Sequence, residues 1–293
     1  MLGKFKEFSR NVYDIMMKPE MLTLPSSLAY YFVLSIVPII SLLLMIASSF
    51  NLSTSFLTEF FENNFSSELV KMITPLVTNQ SFSIGFVMYI LVAFFLASNG
   101  SDAIIVTSNQ IFNIDNKNYF RRRIKAFFLT IILFTLFTFM LIVPVFGEQL
   151  INIAAHIGFN SNVTDALKML YPVLNLPITL IVLYFGIKLI FIIAPDEKIK
   201  SSYVNKGAIF TTLCWVIVTN VYAYYVKHIA TYSVYYAGLS TIVMLMVWFY
   251  FLAFVFVMGL SFNYRSQIEH VEKTNAIKLK EIEEKVKASK KIG

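Results

Sequence analysis

The segment SLAYYFVLSIVPIISLLLMIASS, residues 27–49, decides how the rest of the chain is read. It holds no charged residue, and it matches the roughly 20 helical residues that cross a hydrocarbon core about 30 Å thick. Yet it carries Tyr30, Tyr31, Ser35, Pro38 and Ser41, which lipid alone does not favour. Ser27, Tyr31, Ser35, Pro38 and Ser41 recur at helical spacing and share one face. Such a stripe lets helices approach closely and hydrogen-bond across their interface. Pro38 removes one backbone donor and predicts a kink, with neighbouring helices or water restoring the lost partner. Two readings follow: a packed, kinked inner helix, or a helix lining a polar path through a bundle. Both place this helix at the centre.

Composition extends the point to the whole chain. Of 293 residues, 57% are hydrophobic and only 14% charged, with a mean hydropathy of +0.69, against roughly 25% charged in an ordinary soluble domain. Lipid is the solvent such a chain requires. The length suits one membrane domain with short extensions. The single cysteine, Cys214, excludes an intrachain disulfide. No cleavable signal peptide is expected, because the first apolar run is too long for one and lacks a small-residue cleavage site. The composition, rich in Lys, Asn and Ile, points weakly to an AT-rich bacterial genome.

The expected fold is all-α and polytopic, with six transmembrane spans at about 27–49, 84–107, 125–147, 171–194, 206–228 and 239–263. Helices are required because an open sheet would leave backbone groups unpaired in lipid, and barrel-like alternation is missing. Residues 1–26 then form an interfacial amphipathic segment, 27–263 the membrane domain and 264–293 a charged tail. Most of the 24 Lys and Arg fall before the first span, in the second connection (Lys117, Arg121, Arg122, Arg123, Lys125), in the fourth (Lys198, Lys200, Lys206) and in the tail. Positive charge marks the cytoplasmic side, so both termini are expected in the cytoplasm of a bacterial cell. The same distribution argues against nucleic acid as a partner, since cationic membrane edges account for the +7 net charge.

Two flanks read as surface helices: Phe5, Phe8, Val12 and Met16 at the N-terminus, and Phe56, Phe60, Phe61, Leu69 and Met72 in the first outer connection. Within the spans, Asn99 and Asp102 share a face one turn apart. An acid at membrane depth is costly and marks a functional site by default, although Asp102 sits towards the inner end of its run. Proton or cation coupling and a structural pairing are both open for it. Lys188 either snorkels to the headgroups or pairs with Asp102 across the bundle. The tyrosines from Tyr222 to Tyr236 suit an outer interfacial belt.

Motifs for chemistry are missing. His156, His228 and His270 lie in separate segments, and no HExxH, CxxC, GxSxG or phosphate-cradling glycine loop occurs. The chain is therefore expected not to be an enzyme, with no catalytic residue, no metal and no cofactor.

Taken together, several stretches resemble the YihY/BrkB family of membrane proteins. They are Leu28-Ala29-Tyr30-Tyr31 with Ser35 and Pro38, and Gln110-Ile111-Phe112-Asn113 followed by the arginine run. They continue with Pro195, then Lys206-Gly207-Ala208 and Trp215, and finally Tyr236 to Ser240 with Trp248, Tyr250, Gly259 and Asn263. Two positions depart from the pattern: Ala237 intervenes between Tyr236 and Gly238, and Ser261 stands where the family commonly has an acid. The resemblance implies a six-span inner-membrane protein without a settled activity, to which a ribonuclease label has been attached and for which movement of envelope lipids is the physically sensible suggestion. The expected function is transport or translocation of a lipid or other amphipathic envelope molecule, along a polar path including Tyr31, Ser35, Pro38, Asn99 and Asp102. A non-transporting scaffold for an envelope complex is the alternative. Membrane lipids are the expected partners, with envelope proteins as further ones.

Overall fold

The computed structural model describes residues 10, 12–49, 84–136, 161–228 and 239–289. Among these residues every regular element is helical: α1 (Glu20–Ser49), α2 (Ile84–Phe112), α3 (119–136), α4 (Ser161–Ile193), α5 (Asn205–His228) and α6 (Leu239–Ser289). A short helical segment, 12–16, precedes α1. Among the described residues, four stretches are long and apolar enough to cross a bilayer: Val87–Phe112, Leu176–Ile193, Asn205–Tyr225 and Val243–Leu279. Phe5 and Phe8, the first outer connection with Phe56 to Met72, the end of the third expected span and Tyr232 to Tyr236 lie outside the described residues.

Three pairs of consecutive helices run antiparallel. On α1 and α2, Ser35 meets Gly100 while Leu42, further along α1, meets Ala93, further back on α2. On α2 and α3 the pairs Asp102–Arg122, Asn99–Arg123 and Phe94–Phe127 descend in the same way. The α5–α6 contacts from Gly207–Asn263 to Trp215–Leu252 and Tyr222–Trp248 repeat it. Loop 113–118, loop 194–204 and the α6 turn around Tyr264 therefore gather at one end, with Lys117, Arg121, Arg122, Arg123, Lys125, Lys198, Lys200, Lys206 and Arg265 around them. This is the charged end of the bundle.

Three local features set the helix limits. α2 closes on Asn113, whose φ of 53° is left-handed; Ile114 N–H reaches Asn109 O at 2.8 Å and Asn113 N–H reaches Gln110 O at 3.3 Å, a Schellman closure with asparagine in the place glycine usually takes. α1 runs through Pro25 and Pro38 without losing its helical pattern, and it begins seven residues before the apolar stretch, so 20–26 belong to the same rod. α6 continues past residue 263 as one helix of 51 residues, about 76 Å long. No Gly or Pro interrupts 264–289, so the expected boundary between membrane domain and tail is a change of surface, not of backbone.

The main buried core lies towards the charged end, where Leu28, Ile105, Leu129, Phe191, Val204 and Phe256 are packed with little or no exposure. The outer faces are apolar and open: Phe128 is 64% exposed, Phe185 60% and Val221 62%. A continuous surface of this kind is what lipid covers.

Candidate functional site

The bundle holds two tiers of polar contacts and one cavity. The upper tier joins the two loops of the charged end. The Asp196 carboxylate, 2% exposed, receives Lys125 Nζ at 2.8 Å and Asn109 Nδ2 at 2.8 Å. Lys125 Nζ also donates to Ala194 O at 2.8 Å and Pro195 O at 2.7 Å, so its three protons are spent on the carbonyl end of α4 and its loop, where a cation is favoured. Asp196 N–H returns a bond to Asn109 Oδ1 at 2.8 Å, and Asn109 Nδ2 reaches Asn116 Oδ1 at 2.9 Å. Burial pushes the Asp196 carboxyl up, but the hydrogen bonds from Lys125 and Asn109 and the Lys125 charge outweigh it and hold the group below its ordinary range. The clamp ties α2, α3 and α4 together. In the sequence Lys117 and Lys125 read only as orientation charges and Asp196 does not stand out; its one signal is an acid beside Pro195 at the end of a span.

In the second tier, α3 supplies two arginines to α2. Arg122 Nε donates to Asp102 Oδ1 at 2.8 Å, with both side chains 21% exposed. Arg123 is buried at 8%, donates to Asn99 Oδ1 at 2.9 Å and Phe95 O at 2.8 Å, and lies 3.9 Å from the Phe95 ring centroid, a desolvated cation–π contact. Asn99 and Asp102 are thus held by Arg123 and Arg122. The Lys188 ammonium lies 5.7 Å from the Tyr184 ring, and the Asp102–Lys188 pairing is not formed.

Beside the second tier, at the same level of α2, the helices border a partly open cavity of about 250 Å³. Ser35 of α1, Gly100 and Ser101 of α2 and Thr130 of α3 form its polar wall; Ile190 of α4, Trp215 of α5 and Phe256 of α6 close the other sides. The hydroxyls are already engaged: Ser35 Oγ accepts Gly100 N–H at 3.1 Å, Ser101 and Thr130 share a bond of 2.7 Å, and Thr130 also donates to Ala126 O. On α1 the lining residues Phe32 to Ile39 lie about 18–28 Å along a rod of about 45 Å, near its middle.

The predicted stripe of α1 therefore divides. Ser35 and Pro38 are buried, whereas Tyr31 is 36% exposed and edge-on to Tyr30, itself 52% exposed. Ser35 lines the cavity; Tyr31, Pro38, Asn99 and Asp102 do not form its wall.

The residues carrying the family resemblance fall mostly at helix contacts. Ala29 is buried in the core. Asn113 caps α2 and donates from Nδ2 to Tyr264 Oη at 2.7 Å, and the Pro195 carbonyl meets Lys125. Gly207 and Gly259 let α5 and α6 cross: a Cβ on Gly207 would strike Gly259 O and Asn263 Oδ1, and one on Gly259 would strike Thr211 Oγ1. Asn263 Oδ1 accepts Gly207 N–H at 2.9 Å, and Trp215 Nε1 donates to Leu252 O at 2.9 Å. Trp248 stacks on Tyr222, and Tyr250 contacts Phe251 and Phe254. Tyr236 lies outside the described residues. Ser261 is buried and donates to Val257 O at 3.0 Å, so that point of the bundle carries no charge. Among the described residues, no group of three or more His, Cys, Asp or Glu is placed to hold a metal.

Antiparallel apolar helices of bilayer length, with lipid-facing outer surfaces, define a multi-pass integral membrane protein. The family model for virulence factor BrkB matches residues 12–282, and the chain belongs to that family. It is 27% identical over 243 residues to a Bacillus subtilis (strain 168) protein named as ribonuclease-like, YfkH, covering 81% of this chain and 87% of that one. It is also 26% identical over 273 residues to a UPF0761 membrane protein of Prosthecochloris aestuarii (strain DSM 271 / SK 413), covering 87% of this chain and 60% of the relative. A third relative, a UPF0761 membrane protein of Chlorobium chlorochromatii (strain CaD3), is 24% identical over 245 residues, covering 81% and 54%. The chain thus spans little more than half the length of the two UPF0761 relatives. No solved structure matches it.

Proposed function

We propose that this protein is a six-span protein of the bacterial cytoplasmic membrane, with both termini in the cytoplasm, that moves a lipid or another amphipathic envelope molecule. The observation that carries the reading is the mid-bundle cavity, walled by residues from all six helices and lined by no charged side chain. A rigid scaffold gains nothing from such a space, because filling it would add packing energy. The gathering of both described loops and their cations at one end supports the six-span threading and its orientation. No catalytic role is part of the proposal. The ribonuclease-like name of one relative finds no chemistry in the tiers, whose charged groups are paired with one another.

The test is translocation of a fluorescent phospholipid in liposomes, comparing wild type with Ala97→Phe, which fills the cavity, and Asp102→Asn, which removes the charge that pairs with Arg122. Movement by wild type and Asp102→Asn but not by Ala97→Phe is expected. Movement no greater than in protein-free liposomes, with correctly inserted wild type, refutes the reading.

The scaffold alternative is favoured by one feature: beyond residue 264, α6 exposes Ile268, Val271, Ile277, Leu279 and Ile282 among charges. Truncation at residue 270 separates the two, since a scaffold loses its partners while a translocator retains lipid movement.

A further inference from the structure

We infer that the central cavity is a binding site for one hydrocarbon chain of a bilayer phospholipid, and that the headgroup stays outside it. This rests on the lipid reading above and specifies which part of the molecule the bundle holds.

Three observations converge. The wall offers aromatic surface from Phe32, Trp215, Trp248 and Phe249 and aliphatic surface from Ile39 and Leu133. The polar atoms of Ser35, Ser101 and Thr130 are bonded to each other or to backbone, so a phosphate or amine inside would lose its water and find few partners. The volume is about 250 Å³, whereas an apolar cavity of about 150 Å³ takes benzene. The space therefore suits a stretch of one chain and is too small for two chains or a hydrated headgroup. The clamp on Asp196 lies at the charged end, and the second tier lies beside this space, with Asn99 and Asp102 between the lining residues Ala97 and Ile104 of α2.

The chain reports on its own site, because both of its tryptophans line the cavity. The full-length protein is placed in nanodiscs whose phosphatidylcholine is replaced stepwise, from none to all, by dibromostearoyl phosphatidylcholine, and separately in unbrominated nanodiscs given free dibromostearate; bromine quenches indole only on close contact. Brominated and unbrominated phospholipid compete equally for the site, so quenching should follow the brominated fraction and, at full replacement, leave wild-type tryptophan emission about twofold below that of Ala97→Phe, which keeps only contact with lipid at the outer surface. Trp215→Phe and Trp248→Phe should each retain the excess quenching, and exchange back into unbrominated lipid should reverse it. If Ala97→Phe does not fold, Ala97→Leu carries the test. Equal quenching of wild type and variant overturns the inference, and excess quenching by the free fatty acid alone overturns the phospholipid assignment. Neither result touches the translocation assay: lipid movement without excess quenching refutes the chain site alone, and excess quenching without movement refutes the transport reading alone.

Discussion

Replacing Lys125 by Met tests whether the charged end is clamped as its geometry implies. The methionine keeps the length of the stem and deletes the three bonds from Nζ to Ala194 O, Pro195 O and Asp196 Oδ1. It leaves a carboxylate that is 2% exposed. Breaking a buried ion pair from one side costs about 3–5 kcal/mol. Asn109 still donates to Asp196, and Lys117, 3.7 Å away but 48% exposed, is a weak substitute, so the lower figure of about 3 kcal/mol applies. At about 2–4 °C per kcal/mol for a domain of this order of size, the midpoint should fall by roughly 6–12 °C. The single cysteine, Cys214, half-buried in α5, allows unfolding in detergent to be followed with a thiol-reactive fluorophore. Adding Asp196→Asn to Lys125→Met should recover a large part of the loss, because the unpaired charge is then gone.

The pH dependence gives a second handle. The folded Asp196 carboxyl lies below its ordinary value of 3.8. Its stabilisation is therefore complete above the unfolded value and is lost as pH falls through the lower, folded one. Without Lys125 the carboxyl moves up, so the stability gap between wild type and Lys125→Met narrows as pH falls through the raised value. A midpoint shift below about 2 °C, or a double variant no more stable than Lys125→Met, would refute the clamp.

Three further outcomes are expected. Gly259→Ala should destabilise by about 1–3 kcal/mol through overpacking and be partly rescued by Thr211→Ala, whereas Gly207→Ala should resist rescue because it meets the Gly259 backbone; thermal midpoints of the single and double variants check this. Asn113→Ala should cost about 1–2 kcal/mol more than Asn113→Gly, since both lose the Tyr264 bond but only alanine is strained at φ 53°, and the same unfolding assay reads the difference. In a Cys214→Ser background, Asn118→Cys and Lys198→Cys should react with a membrane-impermeant maleimide only after the cells are opened, and labelling of intact cells would reverse the proposed orientation.

The helices were legible because lipid leaves the backbone few alternatives: an uncharged run of some 20 residues is a rod or is not in the bilayer. Where sequence reading fell short, the reason was the reach of side chains. Hydropathy changes at 27 and 263 and predicts the limits of α1 and α6 there, but hydropathy records surface while the hydrogen-bond ladder continues until something interrupts it. Before residue 20 that something is Pro19; after residue 263 nothing in 264–289 does so.

Asp102 and Asp196 show the same effect in the site. Asp102 drew notice because it lies inside an apolar run, yet Arg122, twenty residues on, folds back to meet it. Asp196 lies in a polar connection where an acid looks ordinary, yet it is the more deeply buried carboxylate of the two. Position along the chain predicts exposure to lipid, whereas burial is decided by which loop packs on which helix end. The cavity was hidden for the same reason. Ser35 bonds the Gly100 backbone and Ser101 bonds Thr130, contacts between separate helices that only the packed bundle reveals, and with the hydroxyls satisfied within the wall the remaining lining is apolar. Of the stripe that suggested a polar path, only Ser35 thus lines the largely apolar chamber, and a lipid handled there is expected to enter tail first.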